Sequence, residues 1–160
     1  MARKELMNPP NGVFTLNETP IGKGQTNRKR SDVQLIQFFL HQFFLKNPPL
    51  FAQLPPTKNK VGVIKIDGVY GAQTEAGILV FQKDVQNRGS RIKVDGVVNV
   101  ATNTRAASGN QFTIIFMNFF FMTLGEGKEH HGKLENHPTV FSFAPELAGE
   151  LFTAVVRDDF

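Results

Sequence analysis

The chain has no cysteine in its 160 residues. That excludes disulfides, thiolate metal sites and cysteine nucleophiles together, and leaves the redox compartment open. Tryptophan is absent too, and there is one tyrosine against sixteen phenylalanines. Phenylalanine has no polar handle, so most of these rings are expected to fill a core rather than to meet a ligand. No apolar stretch reaches the ~18–20 residues needed to span a bilayer. The start, Met1-Ala2-Arg3-Lys4-Glu5-Leu6-Met7-Asn8-Pro9-Pro10, lacks the apolar stretch of a secretory signal. The expectation is synthesis in the cytoplasm, with any delivery to the periplasm or cell wall by a specialised route. No Gly-x-Ser-x-Gly elbow, phosphate loop or His-Glu-x-x-His pair occurs.

What is present is unevenly placed. Residues 1–31 hold six Lys/Arg and two Glu, which is the whole net charge of +4; the rest balances at twelve against twelve. The chain therefore reads as a basic leader on a neutral body. Residues 1–30 are rich in Pro, Gly, Asn and Thr and are expected to form an extended arm. Arg28, Lys29 and Arg30 could touch phosphates, but three charges beside a helix start favour a solvated face over nucleic-acid binding.

A helix is predicted from Ser31, where Ser31-Asp32-Val33-Gln34 matches a capping box. Leu35, Ile36, Phe39, Leu40 and Phe43 then recur at helical spacing, and Asn47-Pro48-Pro49 ends the run. Residues 46–62 form a proline-punctuated loop. It is read either as a functional loop or, preferably, as a flap packed through Phe51 and Leu54.

A second helix is predicted near Ala72, with apolar rows on so many sides that it reads as a central one. Gly77 within it costs about 1 kcal/mol relative to alanine, so close approach of a neighbouring helix is expected there. A shorter helix is expected from Ala101 to Ala107. Phe112–Leu124 is a thirteen-residue apolar block, assigned as helix on its length. Gly125–Pro138 reads as a polar loop, Thr139–Phe143 as a short strand, and Ala144-Pro145-Glu146 as the start of a helix through Val156.

The most specific feature is a repeat. Ile64-Lys65-Ile66-Asp67-Gly68-Val69-Tyr70 returns 28 residues later as Ile92-Lys93-Val94-Asp95-Gly96-Val97-Val98, and in the same register Thr74 matches Thr102 and Gly71 matches Asn99. Asn is the side chain that best tolerates a left-handed backbone. A repeat of this kind means that one local backbone solution is used twice.

The segment Asp67-Gly68-Val69-Tyr70-Gly71-Ala72-Gln73-Thr74 through Phe81-Gln82, with the second Asp95-Gly96 and the preceding amphipathic helix, resembles the core motif of the peptidoglycan-binding domain family. The resemblance covers about residues 31–108. It implies a three-helix bundle held by two Asp-Gly turns; with the residues on either side, the expected fold is mainly α, with an extended N-terminal arm and a C-terminal extension that carries a short hairpin and a helix. It also implies a non-catalytic module that recognises glycan or stem peptide of the bacterial cell wall, with no cofactor. The roughly fifty residues that follow lie outside the resemblance.

On that reading the ligand-binding candidates are Tyr70, Asp67, Gln73, Gln82, Asp95 and Asn99. For Asp67 and Asp95, beside glycine, turn formation is the favoured role. Tyr70 leads the list, because its ring packs while its hydroxyl needs water or a partner. Glu129-His130-His131 and Glu135-Asn136-His137 offer zinc-type ligands, but their spacing constrains geometry so little that a polar loop with incidental histidines is preferred, and no metal is assigned. The second reading is a structural or docking component of a phage-like or secretion assembly. Its candidates are Arg28, Lys29 and Arg30 in the arm and Phe116, Phe119 and Phe120 in the apolar block, with self-association through 109–124 as one form of it.

Overall fold

The computed structural model describes residues 3–7, 12–26, 28–56, 64–102, 106–123, 134, 137, 144, 147, 150–151 and 156–157. The protein is mainly helical. Three strands, β1 (Arg3–Met7), β2 (Gly12–Leu16) and β3 (Ile21–Gly22), precede α1 (Arg30–Lys46), the short α2 (Pro48–Phe51) and α3 (Ala72–Asn87). Then follow β4 (Val97–Val98), α4 (Thr113–Thr123) and β5 (Val156–Arg157).

The arm is extended but belongs to the body. β1 pairs antiparallel with β2 and parallel with β5, and β3 pairs antiparallel with β4 through Ile21↔Val98. Leu16 and Ile21 are fully buried. Asn17 Nδ2 donates to Thr19 O at 2.9 Å and Val98 O at 3.1 Å, fastening the arm to the second Asp-Gly region. An arm awaiting a partner would leave those side chains in water.

Helix α1, rather than α3, is the central helix. It is buried nearly all round, including Gln34, Gln37 and Gln42. The expected capping box does not form: the helix starts one residue earlier, at Arg30, and Lys29 at the N-cap makes no side-chain cap. Asp32 turns to the arm instead, accepting from Thr19 Oγ1 at 2.6 Å and from the Thr19 and Glu18 backbone N–H groups. Burial pushes its carboxyl upward, and the Thr19 hydroxyl opposes that most strongly. Gln34 accepts the Leu147 N–H at 3.3 Å.

The core is a phenylalanine cluster. Phe43 meets Phe81 of α3 edge-on at 5.0 Å and Phe120 of α4 at 5.4 Å, and Phe38 meets Phe121 at 5.3 Å. Such edge-to-face pairs add about 0.5–1.5 kcal/mol each beyond burial. Gly77 lies where close approach was expected: a Cβ there would stand 3.2 Å from Leu40 Cδ1 of α1 and 2.6 Å from Ile64 Cδ1. The stretch after α1 is a packed flap, with Leu54 buried and Phe51 edge-on to Phe44 at 5.9 Å; residues 57–62 of that loop lie outside the described residues.

The apolar block is helical as assigned. Helix α4 packs on α1, and its Asn118 closes the edge of β2. Thr15 N–H donates to Asn118 Oδ1 at 2.8 Å, and Asn118 Nδ2 donates to Thr15 O at 2.9 Å and Ile114 O at 2.8 Å. No helix is found in the described part of 101–107; the helix of the second repeat is α4 itself. Near the C-terminus Leu147, Glu150 and Leu151 are helical, but Val156 lies in β5, so the helix does not reach it. The predicted strand at 139–143 lies outside the described residues. No helix among the described residues is long and apolar enough to cross a membrane.

Candidate functional site

Both Asp-Gly turns are built by the same side-chain clamp. In the first, Gln37 of α1 reaches the turn with both ends of its amide. Its Oε1 accepts the N–H groups of Asp67 at 3.0 Å and Gly68 at 2.8 Å. Its Nε2 donates to Asp67 Oδ1 at 3.0 Å, Val69 O at 3.0 Å and Thr74 Oγ1 at 3.2 Å. Asp67 Oδ1 also accepts the Val69 N–H at 2.9 Å, closing an Asx turn.

The second turn repeats this bond for bond around Gln82 of α3. Its Oε1 accepts from Asp95 N–H at 3.1 Å and Gly96 N–H at 2.8 Å, while Nε2 donates to Asp95 Oδ1 at 3.3 Å, Val97 O at 3.1 Å and Thr113 Oγ1 at 2.9 Å. Val97 N–H donates to Asp95 Oδ1 at 3.0 Å. Gly68 and Gly96 have φ of +72° and +73°, the left-handed region that glycine enters without Cβ strain. Outside each clamp a lysine faces the free carboxylate oxygen: Lys65 at 4.0 Å from Asp67 Oδ2, and Lys93 at 3.4 Å from Asp95 Oδ2.

The true counterpart of Thr74 is therefore Thr113, at the start of α4. Thr102 is exposed in the intervening loop. Gly71 has an extended backbone, with φ −145°, so Asn99 does not stand in for a left-handed glycine. Gln82 is fully buried, and Asp67 and Asp95 each spend Oδ1 on the clamp. These three shape the turns.

Tyr70 and Gln73 belong to the first turn. The Tyr70 hydroxyl donates to Glu75 Oε2 at 3.3 Å, and the Arg28 guanidinium lies 3.9 Å from its ring centroid. Burial, then the charge and hydrogen bond of Glu75, push the phenol up to about 12; Arg28 acts in the opposite direction. Arg28 Nη2 also donates to Gly22 O at 3.3 Å. Arg30 lies against the other side of the turn, where a Cβ on Gly68 would meet its Cγ at 2.5 Å. Lys29 pairs with Glu18 at 3.4 Å. The basic triplet thus lies along the protein's own surface, and two of its members cover the first turn. Gln73 is half-buried near the start of α3.

Asp95 and Asn99 belong to a different place. With Lys93, Ser108, Asn110 and Gln111 they line an open cleft of about 80 Å³ at the second turn. The six ligand candidates are consequently divided between two turns rather than gathered in one site. The residues that sequence reasoning missed are Gln37 and Thr113 in the clamps and Ser108, Asn110 and Gln111 in the cleft. A signal for the first existed: both Gln37 and Gln82 follow a buried apolar residue, Ile36 or Phe81, on the helix before an Asp-Gly pair.

Phe116, Phe119 and Phe120 are half-buried and, with Phe43, Phe81 and Val85, line a second, apolar cleft of about 140 Å³. The Asp84–Arg88 ion pair, at 2.9 Å, forms part of its wall. Of the histidine group, His130 and His131 lie outside the described residues. His137 is buried and packs edge-on against Phe38 at 5.1 Å. Among the described residues no three His, Asp or Glu side chains are grouped so as to hold a metal ion.

No protein-family model, no curated protein and no solved structure matches this chain.

Proposed function

We propose that this protein is a non-catalytic binding module for bacterial cell-wall peptidoglycan, built as a three-helix arrangement of the peptidoglycan-binding type from α1, α3 and α4. The observation that carries the reading is the duplicated clamp. The likeness to that family rests on Asp67-Gly68, Thr74, Gln82 and Asp95-Gly96, and each of these takes part in a clamp, completed in the first turn by Gln37 and in the second by Thr113, which lie outside the likeness. A clamp satisfied from inside leaves the outer face of the turn free to vary, which suits recognition. The test is retention of the purified protein on cell-wall sacculi at moderate salt, where a merely basic protein elutes. Free passage through the sacculi would overturn the reading.

A docking role in a larger assembly has its own supporting observation, the apolar cleft around Phe116, Phe119 and Phe120. Light scattering after size exclusion tests its simplest form: a dimer that dissociates on Phe120→Ser supports it, and a monomer at all concentrations counts against self-association.

A further inference from the structure

The two turns are alike inside and unlike outside. In the first copy the clamp threonine follows the turn aspartate by seven residues, Asp67 to Thr74; in the second it follows by eighteen, Asp95 to Thr113. The clamp does not need the additional chain, because its hydrogen bonds are the same in both copies. Described residues of the longer connection, Asn99, Ser108, Asn110 and Gln111, instead line the cleft beside the turn. The equivalent face of the first turn is taken up by Arg28 and Arg30.

The lining of the open cleft specifies a chemistry. Lys93 and Asp95 are paired at 3.4 Å, so the charges among the described lining residues balance, which favours a neutral group. The side-chain amides of Asn99, Asn110 and Gln111 make no hydrogen bond among the described residues, and each offers both a donor and an acceptor. Val97, Ala106 and Phe112 add an apolar patch. Carboxamides beside an apolar patch match a small amide that carries a methyl group.

We propose that the cleft at the second turn is the ligand subsite and that it takes a methyl-bearing secondary amide. Its N–H and C=O pair with the carboxamides of Asn99, Asn110 and Gln111, and its methyl lies on Phe112 and Val97. The inference rests on the peptidoglycan reading, in which the group is supplied either by an N-acetylated sugar or by an alanyl unit of the stem peptide.

The experiment uses the full chain, labelled with ¹⁵N, and three soluble probes: chitotetraose, cellotetraose and D-alanyl-D-alanine. The expected result is a saturable shift of the Asn99, Asn110 and Gln111 side-chain amide signals with chitotetraose or with the dipeptide, which assigns the source, and none with cellotetraose, which has the same rings without acetamido groups. In parallel, Ser108→Trp, at an exposed cleft position, is expected to weaken retention on sacculi at least tenfold, and Arg28→Ala at the covered turn to leave it within twofold. If the protein binds sacculi while none of the probes moves those signals, the subsite is overturned and the peptidoglycan reading stands. If the protein does not bind sacculi, both fall. Equal shifts with cellotetraose also overturn the amide assignment. Should Ser108→Trp fail to fold, the wild-type titration decides alone.

Discussion

Replacing Gln82 by leucine tests the clamp most directly. The side chain is fully buried and similar in volume to leucine, so the change removes hydrogen bonds more than packing. Five are lost. Thr113 Oγ1 loses a donor but keeps its own O–H to donate elsewhere, and Asp95 Oδ1 keeps the Val97 N–H. Three backbone groups are left without a partner: the N–H of Gly96, which is buried, and the Asp95 N–H and Val97 C=O, which water can partly reach. At about 1–3 kcal/mol per unsatisfied buried group, the substitution should cost about 4 kcal/mol, the Gly96 N–H contributing the largest share. For a chain of this length that lowers the melting temperature by about 8–16 °C.

Urea unfolding followed by circular dichroism measures the loss. A double-mutant cycle then identifies the partner. Thr113→Val should couple to Gln82→Leu by about 1 kcal/mol, whereas Thr102→Val should cost under about 0.5 kcal/mol and show no coupling. A loss below about 1 kcal/mol for Gln82→Leu, or coupling to Thr102 in place of Thr113, would refute the clamp as the element that holds the second turn.

Asn118→Leu should cost about 3 kcal/mol in the same assay, because it strands both the N–H and the C=O of buried Thr15; a near-neutral result would mean that water replaces the amide. Gly77→Ala gains about 1 kcal/mol of helix propensity but drives a methyl against the buried Ile64 Cδ1, so it should be neutral to mildly destabilising alone. Combined with Ile64→Val, which removes that carbon, Gly77→Ala should become stabilising relative to Ile64→Val. Tyr70 is the single tyrosine, so tyrosinate absorbance reports on it without ambiguity. Its midpoint should lie near 12 in the folded protein, against 10.0 for an ordinary phenol, and return to the ordinary value in urea. The raised value means that the folded state holds the proton longer than the unfolded one. The contribution to stability is therefore complete below pH 10 and is lost as pH rises toward 12.

The parts of the fold legible in sequence were those set by neighbours along the chain. Asp67-Gly68 and Asp95-Gly96 make turns because glycine takes φ near +72° and the aspartate caps the next N–H. The length of the apolar block marked α4, and the cost of Gly77 marked the approach of α1. What was hidden depends on distant partners. Gln34 reads as part of a cap and Gln37 carries no local signal, yet the structure sets their amides against Leu147 and Asp67, 113 and 30 positions away. Asp32 looked like part of a cap because the sequence cannot show Thr19 folding back onto it. Thr113 was missed because the repeat was followed at a constant spacing of 28, while the same clamp closes over a short connection in one copy, Asp67 to Thr74, and a longer one in the other, Asp95 to Thr113. β1 and β5 lie at opposite ends of the chain, and no local pattern announces a parallel pairing between them.

Three carboxamides, Gln37, Gln82 and Asn118, join elements that secondary structure leaves unconnected. Each presents a donor and an acceptor in the manner of a peptide group, so each can take a place beside a turn or strand edge that another strand would otherwise fill. Being neutral, an amide avoids the desolvation penalty that a buried carboxylate or ammonium would carry. The consequence is a division of labour within a few ångströms. The inner side of each turn is held by a neutral carboxamide, and much of the outer side is built from residues that take no part in the clamp. One outer side is covered by Arg28 and Arg30 and the other opens on Asn99, Asn110 and Gln111, from the same interior. Stability and recognition should then separate under mutation: changes at Gln82 or Thr113 lower the melting temperature and retention on sacculi together, whereas changes at Asn99 or Asn110 lower retention and leave the unfolding curve in place.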